Sequence, residues 1–132
     1  PIGDYRGTDL FTEEELQKIA ANFTAARDEL AARGSDFVIY IAPNKERVYS
    51  EYMPDMYGEP ASYGTMQQVV DYLSANTDLK VVCGYEDLMA FRAENPDTDL
   101  YYKYDTHWNN LGAYIGSERL VNALHASRIC GD

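Results

Sequence analysis

The chain has 132 residues, 45% apolar and 25% charged, a composition too apolar for a disordered segment and sufficient for one packed domain. Eleven basic residues stand against 22 acidic ones, a net charge of −11, which excludes a general affinity for nucleic acid or anionic lipid surfaces. No apolar run approaches the length of a membrane span, and the two cysteines, Cys83 and Cys130, form neither a C-x-x-C pair nor a zinc spacing. Cys83 lies in an apolar run and reads as a small hydrophobe; a bridge to Cys130 stays open.

The opening residues 1–11 are rich in Gly and Asp and read as an irregular arm. Thr12 and Glu15 then form a T-x-x-E capping box. Leu16, Ile19, Ala20, Phe23, Ala26 and Leu30 follow at helical spacing, and Gly34 closes the helix. Residues 37–42, Phe-Val-Ile-Tyr-Ile-Ala, are a continuous β-branched and aromatic run, the pattern of a strand buried on both faces of a parallel sheet. Residues 44–64 predict a short helix and a long surface loop, and loops of that length are often functional. Thr65 with Gln68 reads as a second capping box opening a helix whose Met66, Val69, Val70 and Leu73 share one stripe. Residues 79–83 predict a second strand, 86–93 a helix, 100–104 a third strand, and roughly 110–127 the last helix.

Strands alternating with helices imply βαβ units, hence an α/β domain with a mainly parallel sheet and helices on both faces, a three-layer α/β/α architecture. In such sheets ligands bind beyond the carboxyl ends of the strands. Two polar junctions fall there: Pro43-Asn44-Lys45 after the first strand and residues 105–110 after the third.

Only two histidines are present, and one lies in Asp105-Thr106-His107-Trp108. Two residues of separation let a carboxylate accept a hydrogen bond from imidazole Nδ1, fixing the tautomer and leaving Nε2 as a proton acceptor. This arrangement activates a serine hydroxyl. The alternative reading is structural, with Asp105 or Asn109 capping the last helix and Trp108 plugging the core. One histidine and one nearby carboxylate do not make a three-ligand zinc site, so no metal and no cofactor is expected. Of twelve tyrosines, Tyr49, Tyr52, Tyr57 and Tyr63 fall in the loop and Tyr101, Tyr102 and Tyr104 flank the Asp-His pair; their faces suit sugar rings, and the alternative is that those of the strand are half-buried packing residues.

Residues 100–113, Leu-Tyr-Tyr-Lys-Tyr-Asp-Thr-His-Trp-Asn-Asn-Leu-Gly-Ala, resemble a signature of the alginate O-acetylation and DHHW proteins, which are SGNH-hydrolase-like. Residues 41–54, with P-x-K followed by Y-x-E-Y-x-P, are similar to a second segment of that family. The resemblance spans nearly the whole chain. It implies a single SGNH-hydrolase-like, flavodoxin-like domain over residues 1–132, and acetyl-ester chemistry on an extracellular polysaccharide by a Ser-His-Asp triad. Asp105 and His107 are its expected catalytic residues. Lys45, Tyr49, Tyr102, Trp108 and Asn109 are the expected substrate contacts.

In that family the serine follows the histidine in a G-D-S motif. The chain reads Cys130-Gly131-Asp132 at its end, so the domain is expected to lack its final segment, and the serine is not carried over. Ser50, in the loop, is the one internal serine retained as a candidate. The resemblance further implies a polysaccharide substrate, an acetyl donor, a site of action outside the cytoplasm and a membrane anchor in the full-length protein. The surface charge favours a neutral acceptor over a polyuronate. A second reading, resting on the missing nucleophile and the tyrosine-rich loop, is a non-catalytic carbohydrate- or partner-binding domain.

Overall fold

The computed structural model describes residues 2–129, with side chains described through residue 124. Among the described residues eight regular elements follow one another: α1 (Ile2–Arg6), α2 (Glu13–Ala31), β1 (Val38–Ile41), α3 (Lys45–Val48), α4 (Thr65–Asn76), β2 (Lys80–Cys83), α5 (Tyr85–Glu94) and α6 (Asn110–Ile129). Two single 3-10 turns, Ser50–Tyr52 and Asp55–Tyr57, lie between α3 and α4. The class is α/β: β1 and β2 pair in parallel, with Val38 opposite Lys80 and Ile41 opposite Cys83.

The capping box at Thr12 forms. Its hydroxyl accepts the Glu15 backbone N–H, and the Glu15 carboxylate accepts the Thr12 N–H at 2.8 Å. At the far end the helix stops at Ala31, and Gly34 takes the left-handed φ of 76° that a side chain would resist. Ala20 and Ile39 pack with Leu73 of α4 and Leu79 before β2 in one buried cluster. Val48, Leu88, Leu100, Tyr101 and Ile115 form the second, flanked by Trp108. Leu73, Leu88, Leu100 and Val48 are fully buried, and each contributes about 1.5–3 kcal/mol by leaving water. Tyr40, next to Ile39 on β1, donates its hydroxyl to the Gly116 carbonyl of α6, and burial pushes its pKa up to about 12.

Four expectations require correction. The opening arm is not irregular: residues 2–6 are helical, because buried Asp4 accepts from Asn44 Nδ2 at 3.1 Å and from the Met66 N–H at 3.3 Å, docking the turn onto α4. The second capping box does not form. Gly64 is the N-cap, the Thr65 hydroxyl turns to Asp9 Oδ1 at 2.8 Å, and the Gln68 amide exchanges two hydrogen bonds with the Phe11 backbone. β1 is half-buried, with Ile39 its one buried residue. Residues 100–104 are not a third strand of the sheet. They fold back as a hairpin, with one antiparallel bridge between Tyr101 and Trp108. Tyr102 N–H donates to the His107 carbonyl at 3.1 Å and Asn109 N–H to the Leu100 carbonyl at 2.9 Å, so the extended residues pair with the segment that follows them, and the carbonyls of Tyr102 and Lys103 are taken by Lys45. The Cys83–Cys130 bridge lies outside the described residues. Cys83 itself is half-buried, and burial raises its thiol pKa.

Candidate active site

Residues 100–109 form the hairpin that carries the site, and its base is rooted in the core. Leu100 is fully buried, and Tyr101 is 4% exposed with its hydroxyl donating to the Pro43 carbonyl at 2.7 Å. Burial drives the Tyr101 phenol pKa upward, so it stays a neutral donor. The Leu100 N–H donates to the Tyr49 hydroxyl at 2.9 Å. Asn109 ends the hairpin and starts α6: its Oδ1 accepts the Gly112 N–H at 2.9 Å as a helix cap, and its Nδ2 donates to the Asp99 carbonyl at 2.6 Å. Gly112 must lack a side chain, since a Cβ there would collide with the Leu100 carbonyl oxygen.

The hairpin tip holds Asp105 and His107 together. His107 Nδ1 lies 2.7 Å from Asp105 Oδ1, and the His107 backbone N–H donates to the same oxygen at 3.0 Å. The ring hydrogen bond, followed by the backbone one, holds the Asp105 carboxyl below its usual range. An ionised Asp105 accepts only, so Nδ1 carries the proton and Nε2 is the nitrogen left to accept another. The His107 side chain is 79% exposed and that of Asp105 52%. The structure therefore presents this Asp-His pair at the surface, assembled and open to a reacting partner.

Lys45, the first residue of α3, reaches the same tip. Its ammonium donates to the carbonyls of Tyr102 at 2.6 Å, Lys103 at 3.2 Å and Asp105 at 2.9 Å. The two polar junctions expected beyond the sheet edge are thus in contact. Beside them opens a groove of about 530 Å³, lined by the charged Lys45, Glu46, Asp99 and Lys103 together with Tyr49, Tyr52, Met53 and Tyr101. Arg92 lies 3.9 Å over the Tyr49 ring and donates to the Val48 carbonyl and to Glu51, fixing the aromatic side of the groove.

The family described as SGNH hydrolase-like domain, acetyltransferase AlgX, matches residues 5–131. The chain belongs to this family. This is the family that the two sequence segments resemble. The AlgX-type chain is similar to a probable alginate O-acetylase AlgJ of Pseudomonas syringae pv. tomato, at 26% identity over 125 residues, 87% of this chain and 31% of that protein. A probable alginate O-acetylase AlgJ of Pseudomonas putida is 25% identical over 112 residues, 85% of this chain and 28% of that protein. The AlgX-type chain thus spans under a third of the length of these curated relatives. No solved structure matches it.

The residues read from the sequence fall in different places around this site. Asp105 and His107 meet; Lys45 and Tyr49 line the groove; Tyr102 is half-exposed beside the pair. Trp108 is half-buried, its ring 6.1 Å from that of Tyr40 and packed over Gly116. Asn109 spends both ends of its amide on the backbone. Ser50 opens the first 3-10 turn and lines a different hollow, with Tyr5 and Glu59. Among the described residues no serine hydroxyl bonds the His107 ring. Asp99, Lys103 and Arg92 were not singled out: Asp99 follows the turn at 95–98 in irregular backbone, and nothing in the sequence marks an arginine on α5 as the lid of a tyrosine some forty residues earlier.

Proposed function

We propose that this chain supplies the Asp-His half of a Ser-His-Asp triad for acetyl-ester chemistry on an extracellular polysaccharide, within a three-layer flavodoxin-like domain of the SGNH type. The observation that carries the reading is the 2.7 Å contact between His107 Nδ1 and Asp105 Oδ1 on an exposed hairpin of an AlgX-type chain. In this mechanism a serine from elsewhere in the full-length protein attacks the acetyl carbonyl while His107 Nε2 takes its proton. Asp105 holds the ring and stabilises the imidazolium. The tetrahedral intermediate collapses to an acetyl-serine as His107 protonates the leaving oxygen of the donor. A sugar hydroxyl, deprotonated by the same nitrogen, then attacks the acetyl carbonyl; the acetyl–serine bond breaks and the imidazolium returns its proton to the serine oxygen, and water in place of the sugar gives hydrolysis.

The groove beside the hairpin is the proposed seat of the sugar chain. Tyr52, 76% exposed, offers its ring face to sugar C–H patches, while Tyr49, covered by Arg92, shapes the lining and Asp99 and Lys103 supply polar groups for the hydroxyls. The relatives are named for alginate, a polyuronate. Here Lys45 and Lys103 are balanced in the groove by Glu46 and Asp99, so no basic track offsets the net −11, and a weakly charged acceptor is the better match. A polysaccharide acceptor of this kind would place the reaction outside the cytoplasm, as the family resemblance implies. No described helix is long and apolar enough to cross a membrane.

The test is His107→Ala in the full-length protein, which should lower acetyl-ester turnover by about 10³-fold or more with folding intact. Turnover that survives the substitution removes His107 from the mechanism.

A further inference from the structure

We propose that Lys45 is the positioning residue of the hairpin tip, the group that shapes the backbone so that Asp105 and His107 meet. The inference rests on the reading of that pair as the working half of a triad, but its geometry can be tested without any turnover.

A lysine ammonium has three donors and no acceptor. Here the three go to three different carbonyls, those of residues 102, 103 and 105, at 2.6, 3.2 and 2.9 Å. These carbonyls lie within four consecutive residues, so the peptide dipoles of the tip converge on one point. Unfilled, that point would bring together three partial negative charges. A compact ammonium suits it, because its donors spread in three directions; the planar fork of an arginine would not match all three oxygens.

The clamp also fixes where the pair sits. Lys45 opens α3 two residues after Pro43, and the Pro43 carbonyl accepts the Tyr101 hydroxyl at 2.7 Å. The short junction leaving β1 therefore grips the hairpin twice, at its base through Tyr101 and at its tip through Lys45. Asp105 N–H closes the turn on the Tyr102 carbonyl at 3.3 Å, the oxygen that Lys45 approaches most closely. Releasing the ammonium frees the residue that carries the carboxylate.

The experiment reads the imidazole tautomer of His107 by nitrogen NMR on this chain, with the second histidine identified by His125→Gln. Bonded to Asp105, the ring holds its proton on Nδ1; released, it moves toward the Nε2–H form that free imidazole side chains favour. Lys45→Met should leave far-UV circular dichroism unchanged, shift the His107 tautomer toward Nε2–H, and speed exchange of the His107 amide by about tenfold or more. Lys45→Arg should recover part of both signals. An unchanged tautomer and amide in Lys45→Met would overturn the proposal. Should Lys45→Met unfold, Lys45→Arg decides by the same signals, and wild-type values in that variant overturn the three-carbonyl clamp.

In the full-length protein, Lys45→Met should lower kcat with KM little changed. A raised KM with the tautomer intact would instead make Lys45 a substrate contact. Loss of the tautomer with full activity would keep the clamp and sink the catalytic reading, so the two failures are distinguishable.

Discussion

Asp105 is half-exposed, yet two donors from His107 bear on one of its oxygens, and their combined effect is to favour the ionised carboxyl. Because its pKa in the folded chain lies below the ordinary value of 3.8, its ordering of the hairpin is present above the ordinary carboxylate range and is lost as pH falls through the depressed value. The carboxyl carbon resonance of Asp105 should therefore titrate with a midpoint below 3.8, and His107→Ala should move that midpoint back up. A midpoint at or above the ordinary value in the unsubstituted chain would mean that the pair is not formed in solution. The D-x-H pair was legible because two residues of spacing suffice to bring the groups together, whatever the surrounding fold. The role argued for Lys45 was not: its partners are backbone carbonyls nearly sixty positions away, and a carbonyl leaves no mark in a sequence.

At the scale of elements, the alternating tyrosines of residues 101–104 carry real β propensity, which favours an extended backbone without naming its partner. The chain uses it for a hairpin closed by Tyr102–His107 and Leu100–Asn109 hydrogen bonds. The same polar stretch that suggested a site at a strand end thus builds its own support. α2 was legible to within a few residues because its capping box and apolar stripe are local, whereas the supposed box at Thr65 lost to tertiary partners, Asp9 and Phe11. The junction at Asn109 offers a direct check, since one side chain caps α6 and ties the hairpin to Asp99. Asn109→Ala should cost about 1–2 kcal/mol in denaturant unfolding. Asn109→Asp, which keeps the capping oxygen and loses the amide donor, should recover part of that. Equal losses in the two variants would place the energy in the Asp99 contact and not in the cap.

Over the whole molecule, the sequence made the α/β class and the family readable, since both rest on order and spacing: strand, P-x-K, helix, strand, D-x-H-W, helix. What it could not fix was how the acidic surface distributes around the site. The chain carries net −11, and the groove beside the hairpin is lined by two lysines and two carboxylates, so its formal charge sums to nothing. A polyanion approaching this chain therefore meets long-range repulsion with no local attraction to offset it. Screening should relieve that repulsion: between about 0.01 and 0.15 M salt the Debye length shrinks from about 30 to about 8 Å. Association of a soluble polyuronate with this chain, followed by stopped flow, should accordingly speed up across that range, while a neutral glycan should show a flat profile. A polyuronate that associates more slowly as salt is added would reveal an attractive basic path that the balanced groove does not supply, and would turn the choice of acceptor back toward the charged polymer.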